Sequence, residues 1–323
     1  MGFQQIPKIE PAKFYINLAF KRANERAKLA REDVSKKRSV LEKSKIVEIE
    51  KLRGARDFLS DMLTGIIKKF PSISQLTRFY SELLKCYADV DELKKSLGSL
   101  NWADEKIKDF FILYKTKINS TMDFKKVNEY RRMFYGRASS AMRQIAKHLV
   151  VIEQARRVLK DFPVIKEGIF TVAIAGFPNV GKSTLLSKIS TAKPEIAAYA
   201  FTTKSLNMGY IIQDGKRVVQ LIDTPGTLNR LERMNNVEKQ AYIAMKYAAD
   251  IIVYVFDPTE TYPLEDQQEL LERIKNETAK KVIVYVSKTD INDTNIAGIK
   301  NPEELKEKLL NAKSEWDLQV QAP

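Results

Sequence analysis

At 323 residues, with 44% apolar and 30% charged side chains, the chain has a globular composition and length enough for two cores. A single cysteine, Cys86, excludes an internal disulfide and a cysteine-cluster metal site, His148 alone argues against zinc, and no apolar run reaches the roughly 20 residues of a membrane span. The net charge of +14 lies wholly in the first half: residues 1–165 hold 35 Lys/Arg against 20 Asp/Glu, residues 166–323 hold 20 against 21.

Residues 1–165 carry almost no strand signal. After an extended Ile6 to Pro11, apolar residues recur at helical spacing in Phe14, Leu18, Ala19 and Ala23, and again from Val40 to Ile66. Pro71 interrupts, Leu76 to Tyr87 starts another helix, Gly98 to Asn101 reads as a turn, and Trp102 to Tyr114 resumes the period. One last long helix is expected from Val127 through Met142 and Ile152 to Val158, ending near Phe162-Pro163. This is an all-α bundle. Its excess charge suits a polyanion such as rRNA or an acidic membrane surface, the plainer alternative being a solvated, lysine-rich helical surface. Between Tyr130 and Arg157 stand Arg131, Arg132, Arg137, Arg143, Lys147, Arg156 and Arg157, interleaved with Tyr130, Phe134 and Tyr135. Such a face suits phosphates and stacked bases, but aromatics at this spacing favour core packing, and His148 beside it reads as a surface or packed histidine.

From Gly168 the period changes. Apolar runs at Phe170–Ala175, Met208–Ile212, Val218–Ile222, Ile251–Phe256 and Val282–Val286 alternate with helical stretches, and Asp214-Gly215 reads as a hairpin turn. The expectation for residues 166–323 is an α/β domain with a doubly wound, mostly parallel sheet and one antiparallel strand.

The first of these runs leads into Gly176-Phe-Pro-Asn-Val-Gly-Lys-Ser183, followed by a helical stretch. That is the context of a P-loop, in which N–H groups of Asn179, Val180, Gly181, Lys182, Ser183 and Thr184 surround phosphates, Lys182 neutralises the β- and γ-phosphates, and Ser183 ligates magnesium. About 20 residues on, Ala200-Phe-Thr-Thr-Lys204 offers Thr202 and Thr203, with Thr203 able to reach magnesium and the γ-phosphate. Asp223-Thr-Pro-Gly226 closes a strand with an acid for a magnesium-bound water and a glycine N–H for the γ-phosphate. Ser287-Lys-Thr-Asp290 follows the last apolar run. Asp290 suits the N1–H and exocyclic amine of guanine, the Lys288 stem can lie over the base, and Ser287 can bond the P-loop although asparagine is usual there.

On these segments, with Tyr199-Ala-Phe-Thr-Thr-Lys-Ser-Leu206, Asn236-Val-Glu-Lys-Gln-Ala241 and Tyr135-Gly-Arg137, the sequence resembles the nucleolar GTP-binding protein 1 family within the Obg-like GTPases, in a short archaeal-type form. The resemblance implies an N-terminal helical bundle (1–165) followed by a P-loop GTPase domain (166–323), and a GTPase that works in large ribosomal subunit assembly through rRNA contact, with ribosomal proteins or assembly factors as further partners. It implies GTP/GDP and Mg2+ as ligands, and a cytoplasmic location, nucleolar in a eukaryote. The last elements of the nucleotide domain read as clipped: Asp317-Leu-Gln-Val320 stands where a sixth strand would, either in a truncated chain or in one whose C-terminus departs from the pattern.

Thr227 occupies the position where small GTPases often carry a water-orienting glutamine. Asn179 offers a side-chain oxygen near the β/γ bridge, where related GTPases hold a monovalent cation, so K+ is a further candidate; the alternative for Asn179 is a residue that only shapes the loop. The catalytic candidates are Lys182, Asn179, Thr203 and Gly226. Two rivals remain: an RNA-binding scaffold in which GTP is mainly structural, and a basic bundle that docks on protein or membrane.

Overall fold

A computed structural model of the chain describes residues 3–33, 38–166, 168–191, 195–198, 205–224, 236–259, 262–291 and 296–321. These separate into two compact units. One comprises residues 3–75 and 87–160; the other comprises residues 76–86 together with the chain from 161 onward. No helix among the described residues is long and apolar enough to cross a membrane.

The first unit consists of long helices whose starts are written locally. Helix α1 (Ala12–Asp33) is followed by α2 (Val40–Lys69), opened by a capping box in which the Ser39 hydroxyl accepts from the Glu42 N–H while the Glu42 carboxylate accepts from the Ser39 N–H. Beyond α3 (Arg78–Tyr87), which groups with the second unit, Asp89 caps α4 (Val90–Ser120) and Asp123 caps α5 (Phe124–Gln144); α6 (Ala146–Lys160) completes the set. A Cβ at Gly54 of α2 would stand 3.1 Å from Ala23 Cα, so the alanine stripe of α1 (Ala19, Ala23, Ala27) and this glycine let the two backbones approach closely.

Two expectations are corrected here. Gly98 to Asn101 is no turn: α4 runs straight through it, because Leu93, Leu100, Ala103 and Ile107 keep an unbroken buried stripe whose packing outweighs the roughly 1 kcal/mol penalty of one glycine. The single helix from Val127 to Val158 is two, parted at Ile145, whose ψ of 2° leaves the helical region while its side chain stays in the core. The aromatics of the arginine-rich face resolve toward packing, while Arg132, Arg137, Arg143, Lys147 and Arg157 stay exposed. Phe134 is fully buried, Tyr135 stacks on Phe20 at 4.2 Å, Arg131 pairs with buried Glu48 at 2.6 Å, and His148 Nδ1 lies 3.0 Å from Ser96 Oγ.

Arg156 and Arg157 converge on Glu153, which also accepts the Ile9 N–H at 3.0 Å and so fastens the N-terminal segment to α6. Burial alone would raise the Glu153 pKa, but these donors outweigh it and carry the value from 4.5 down to about 2. A depressed carboxylate contributes stability that is present above pH 4.5 and lost as pH falls toward 2. Urea midpoints at pH 5 and pH 3 are therefore expected to differ less in Glu153→Gln than in the unchanged chain; equal slopes would refute this.

The second unit is built on a six-stranded sheet. Its strands are β1 (Phe170–Ala175), β2 (Glu195–Ala198), β3 (Ser205–Gln213), β4 (Lys216–Asp223), β5 (Ile251–Phe256) and β6 (Lys281–Val286), in the order β2-β3-β4-β1-β5-β6. β1 and β5 are buried along their whole length, which is why both read as unbroken apolar runs, and β1 pairs in parallel with β4 and β5. β3 is the expected antiparallel strand, joined to β4 through Asp214 (φ +51°) and Gly215 (φ +73°), the paired positive φ values of a type I′ turn. Helices α7 (Lys182–Ile189), α8 (Asn236–Ile243, continued by a π turn to Ala248), α9 (Leu264–Thr278) and α10 (Pro302–Gln321) complete it. The sixth strand expected at Asp317–Val320 is instead the end of α10. That helix buries Leu305, Leu309 and Ala312 at helical spacing and lays Trp316 5.8 Å from Phe170, a longer and stronger pattern than four alternating residues.

Candidate functional site

The sheet order turns back at β1, and the loop that leaves its carboxyl end, Gly176 to Gly181, occupies the crevice where open α/β sheets place ligands. Three positive φ values shape the loop: Gly176 (+143°), Asn179 (+60°) and Gly181 (+95°). Asparagine tolerates the left-handed region better than other side chains, and Asn179 is exposed on the loop. Val180 is fully buried and Phe177 stacks on Tyr262 at 4.6 Å, so the loop is pinned from below. Gly181 opens α7 without a capping side chain; the N–H groups of Lys182, Ser183 and Thr184 in this first turn have no carbonyl one turn earlier to accept them and are presented at the helix head.

Lys182 is 6% exposed, and its Nζ donates to the carbonyls of Gly176 (3.1 Å) and Phe177 (2.6 Å). Burial pulls its pKa from 10.5 to about 8, with the Asp223 carboxylate opposing. Asp223, at the end of β4, accepts on Oδ2 from the Ser183 hydroxyl (2.6 Å) and from Asn207 Nδ2 (3.2 Å), while its Oδ1 is buried without a hydrogen-bond partner. Thr224 fixes the chain just beyond, its N–H and hydroxyl both donating to the Ile174 carbonyl of β1.

At the carboxyl end of β6 the Ser287 hydroxyl lies 2.7 Å from the Val180 carbonyl and 2.9 Å from that of Phe256, so it does bond the P-loop. Lys288 has φ +51° and its Nζ meets Asp257 Oδ2 at 2.5 Å; Asp290 stands exposed in the turn that follows.

The structure thus brings Asn179, Val180, Gly181, Lys182, Ser183, Thr184, Asp223, Ser287 and Lys288 to one edge of the sheet, with Asp290 at its rim. Thr202, Thr203 and Gly226 lie outside the described residues, as does Thr227. Asn207, Asp257 and the anchoring contact of Thr224 within Asp223-Thr-Pro-Gly226 escape a reading of the sequence, although Asp257, next to a strand end, carries a signal of its own. Among the described residues no group of three His, Cys, Asp or Glu side chains could hold a metal by itself.

Residues 3–166 match the family described as NOG1 N-terminal helical domain, and residues 171–288 match that described as 50S ribosome-binding GTPase. The chain is 37% identical over 269 residues to an uncharacterised protein of Methanocaldococcus jannaschii, covering 82% of this chain and 75% of that one. It is 31% identical over 294 residues to nucleolar GTP-binding protein 1 of Drosophila melanogaster, covering 90% of this chain and 44% of that one. The G domain of the T. maritima FeoB iron transporter is 28% identical, with a TM-score of 0.37, over 44% of this chain and 98% of that one. The chain therefore spans less than half the length of the Drosophila relative.

Proposed function

This chain belongs to the nucleolar GTP-binding protein 1 family, and from that membership we propose that it binds GTP at the edge formed by β1, β4 and β6 and hydrolyses it slowly to GDP and phosphate. The role proposed for this cycle is a switch in assembly of the large ribosomal subunit, with the basic helical half contacting rRNA. One observation carries the nucleotide part: two segments 107 residues apart in sequence, the phosphate loop and Ser287-Lys-Thr-Asp290, are tied together by the Ser287–Val180 hydrogen bond. A phosphate cradle and a guanine-reading turn are useful to one ligand only when they are held at one place.

In this reading the N–H groups at the head of α7 and the Lys182 ammonium take the phosphates, and Asp290 reads the guanine edge. The residues present fit magnesium: Asp223 keeps a buried, unpaired oxygen beside the Ser183 hydroxyl, and these two, with Thr203, would hold the ion. When bound it draws negative charge from the β- and γ-phosphates. Asn207 keeps the Asp223 carboxylate from rotating. Asn179 presents its amide at the loop for a potassium ion, and Thr203 and the Gly226 N–H answer the γ-phosphate. The excess of 15 positive charges in residues 1–165 suits an RNA surface, and the work would lie where large subunits are assembled, in the cytoplasm or, in a eukaryote, the nucleolus.

Phosphate release under multiple turnover, with large ribosomal subunits present or absent, tests the proposal together with co-sedimentation over a salt series. Turnover that needs magnesium, rises with subunits and runs faster in potassium than in sodium is expected, with salt-sensitive co-sedimentation. Tight GTP binding without turnover would favour the scaffold reading; equal rates in both salts, unchanged in Asn179→Ala, would remove potassium.

A further inference from the structure

Lys288 is held in an unusual way. It sits in left-handed backbone, φ +51°, which long side chains avoid, and its partly exposed side chain sets the ammonium onto Asp257, whose side chain is fully buried at the end of β5. Asp257 is also held at its other carboxylate oxygen and through its backbone. Asp257 Oδ1 accepts from the Thr259 N–H (3.0 Å) and hydroxyl (2.7 Å), its own N–H donates to Gln267 Oε1 (2.9 Å), and its carbonyl accepts from Gln267 Nε2 (2.9 Å). Gln267 is held in turn by the Tyr254 hydroxyl, which donates to its carbonyl at 2.7 Å. Burial would push Asp257 up, but the bonds from Lys288 and Thr259 outweigh it and keep the acid below its usual range, so the pair is ionic.

An ion pair whose carboxylate is fully buried is a poor way to gain stability, because desolvation consumes most of the attraction. It is a good way to fix direction. Ser287 ties the backbone of this turn to the P-loop and to β5, its hydroxyl reaching the Val180 and Phe256 carbonyls and its N–H donating to the Phe256 carbonyl at 2.8 Å, but none of these bonds directs the Lys288 side chain. We infer that Asp257 is the positioning residue for base recognition by that side chain: a rigid buried post that draws the Lys288 ammonium across and holds its four-carbon stem as a fixed wall for the purine. The inference rests on the guanine-nucleotide reading of Ser287 to Asp290. It places the ordering of a flexible lysine before binding rather than during it.

Titration of the full chain with methylanthraniloyl-GDP, labelled on the ribose so that the base stays free, tests it. Asp257→Asn keeps the volume and the Thr259 contacts but loses the charge facing Lys288, and a Kd about tenfold weaker is expected. Lys288→Met, which keeps the stem and loses the ammonium, should show a similar loss, and the double variant should be no weaker than either single one. Asp257→Asn binding as tightly as the unchanged chain, or losses that multiply in the double variant, would overturn the positioning role. Should Asp257→Asn melt far below the unchanged chain, Lys288→Met decides: undiminished affinity overturns the role, a tenfold loss supports it. If the unchanged chain binds no methylanthraniloyl-GDP, the guanine-nucleotide reading itself fails and this inference with it.

Discussion

Lys182→Met is expected to weaken GDP and GTP binding by about a hundredfold or more, since two charge-assisted hydrogen bonds to phosphate at roughly 1.5–3 kcal/mol each are lost. The variant should also change how the nucleotide-free protein responds to pH. Burial lowers Lys182 from 10.5 to about 8, so below pH 8 the folded chain carries the full burden of a desolvated ammonium, and above pH 10.5 it carries none. Between those values the unfolded state binds more protons, and stability conferred at this position rises with pH, in total by about 3 kcal/mol at 1.36 kcal/mol per pKa unit. Methionine has no such proton. Urea midpoints from pH 7.5 to pH 10 should therefore show the unchanged chain gaining on Lys182→Met; parallel curves would mean that the ammonium is well solvated. Bound phosphate restores a counter-charge, so nucleotide affinity should fall as pH rises past 8. Loss of binding together with loss of this pH slope would mark the same ammonium as the cause of both.

What the sequence reveals about this site depends on distance along the chain. Gly176 to Ser183 is legible because one short segment contains its whole logic: an apolar run buried on both faces, glycines where φ turns positive, then a helix head. Asp223 and Ser287 are legible for a related reason, as polar residues that end buried strands. Asn207 is not. Counting back from the Asp214-Gly215 turn pairs Gln213 with Lys216 and Ile212 with Arg217, and an unbroken hairpin would set Asn207 level with Ile222, on the wrong face for Asp223. The irregularity between Ile211 and Ile212 moves the register by one, so that Met208 pairs with Ile222 and Asn207 comes level with Asp223. Nothing in the local pattern announces that bulge. The Lys288–Asp257 contact, 31 residues apart across two parallel strands, is hidden in the same way, and Ile145 conceals a helix break because the apolar stripe passes through it unaltered. Periodicity reports which face is buried; it does not report register or a single residue's ψ.

Glycine-to-alanine exchanges at three positions should give three different results, and Gly176→Ala the largest. A Cβ there would lie 2.7 Å from the Val255 carbonyl oxygen and 3.2 Å from Val180 Cγ2, at φ +143°. Val255 stands within β5, a strand paired on both sides, so its carbonyl cannot retreat without disturbing the centre of the sheet. Overpacking and backbone strain together are expected to cost about 2–5 kcal/mol, enough to unfold much of a marginally stable domain, and nucleotide binding should go with it. At Gly181 the added Cβ would meet Ser287 Cβ at 3.6 Å, an ordinary contact, so only the φ of +95° is penalised and Gly181→Ala should lose about 1–2 kcal/mol. Gly98 lies within α4 with nothing inside 4 Å of its would-be Cβ, so Gly98→Ala should stabilise by about 0.5–1 kcal/mol. Urea denaturation of the three variants in parallel checks the order. Gly176→Ala no worse than Gly181→Ala would mean that β1 and β5 yield where close packing says they cannot.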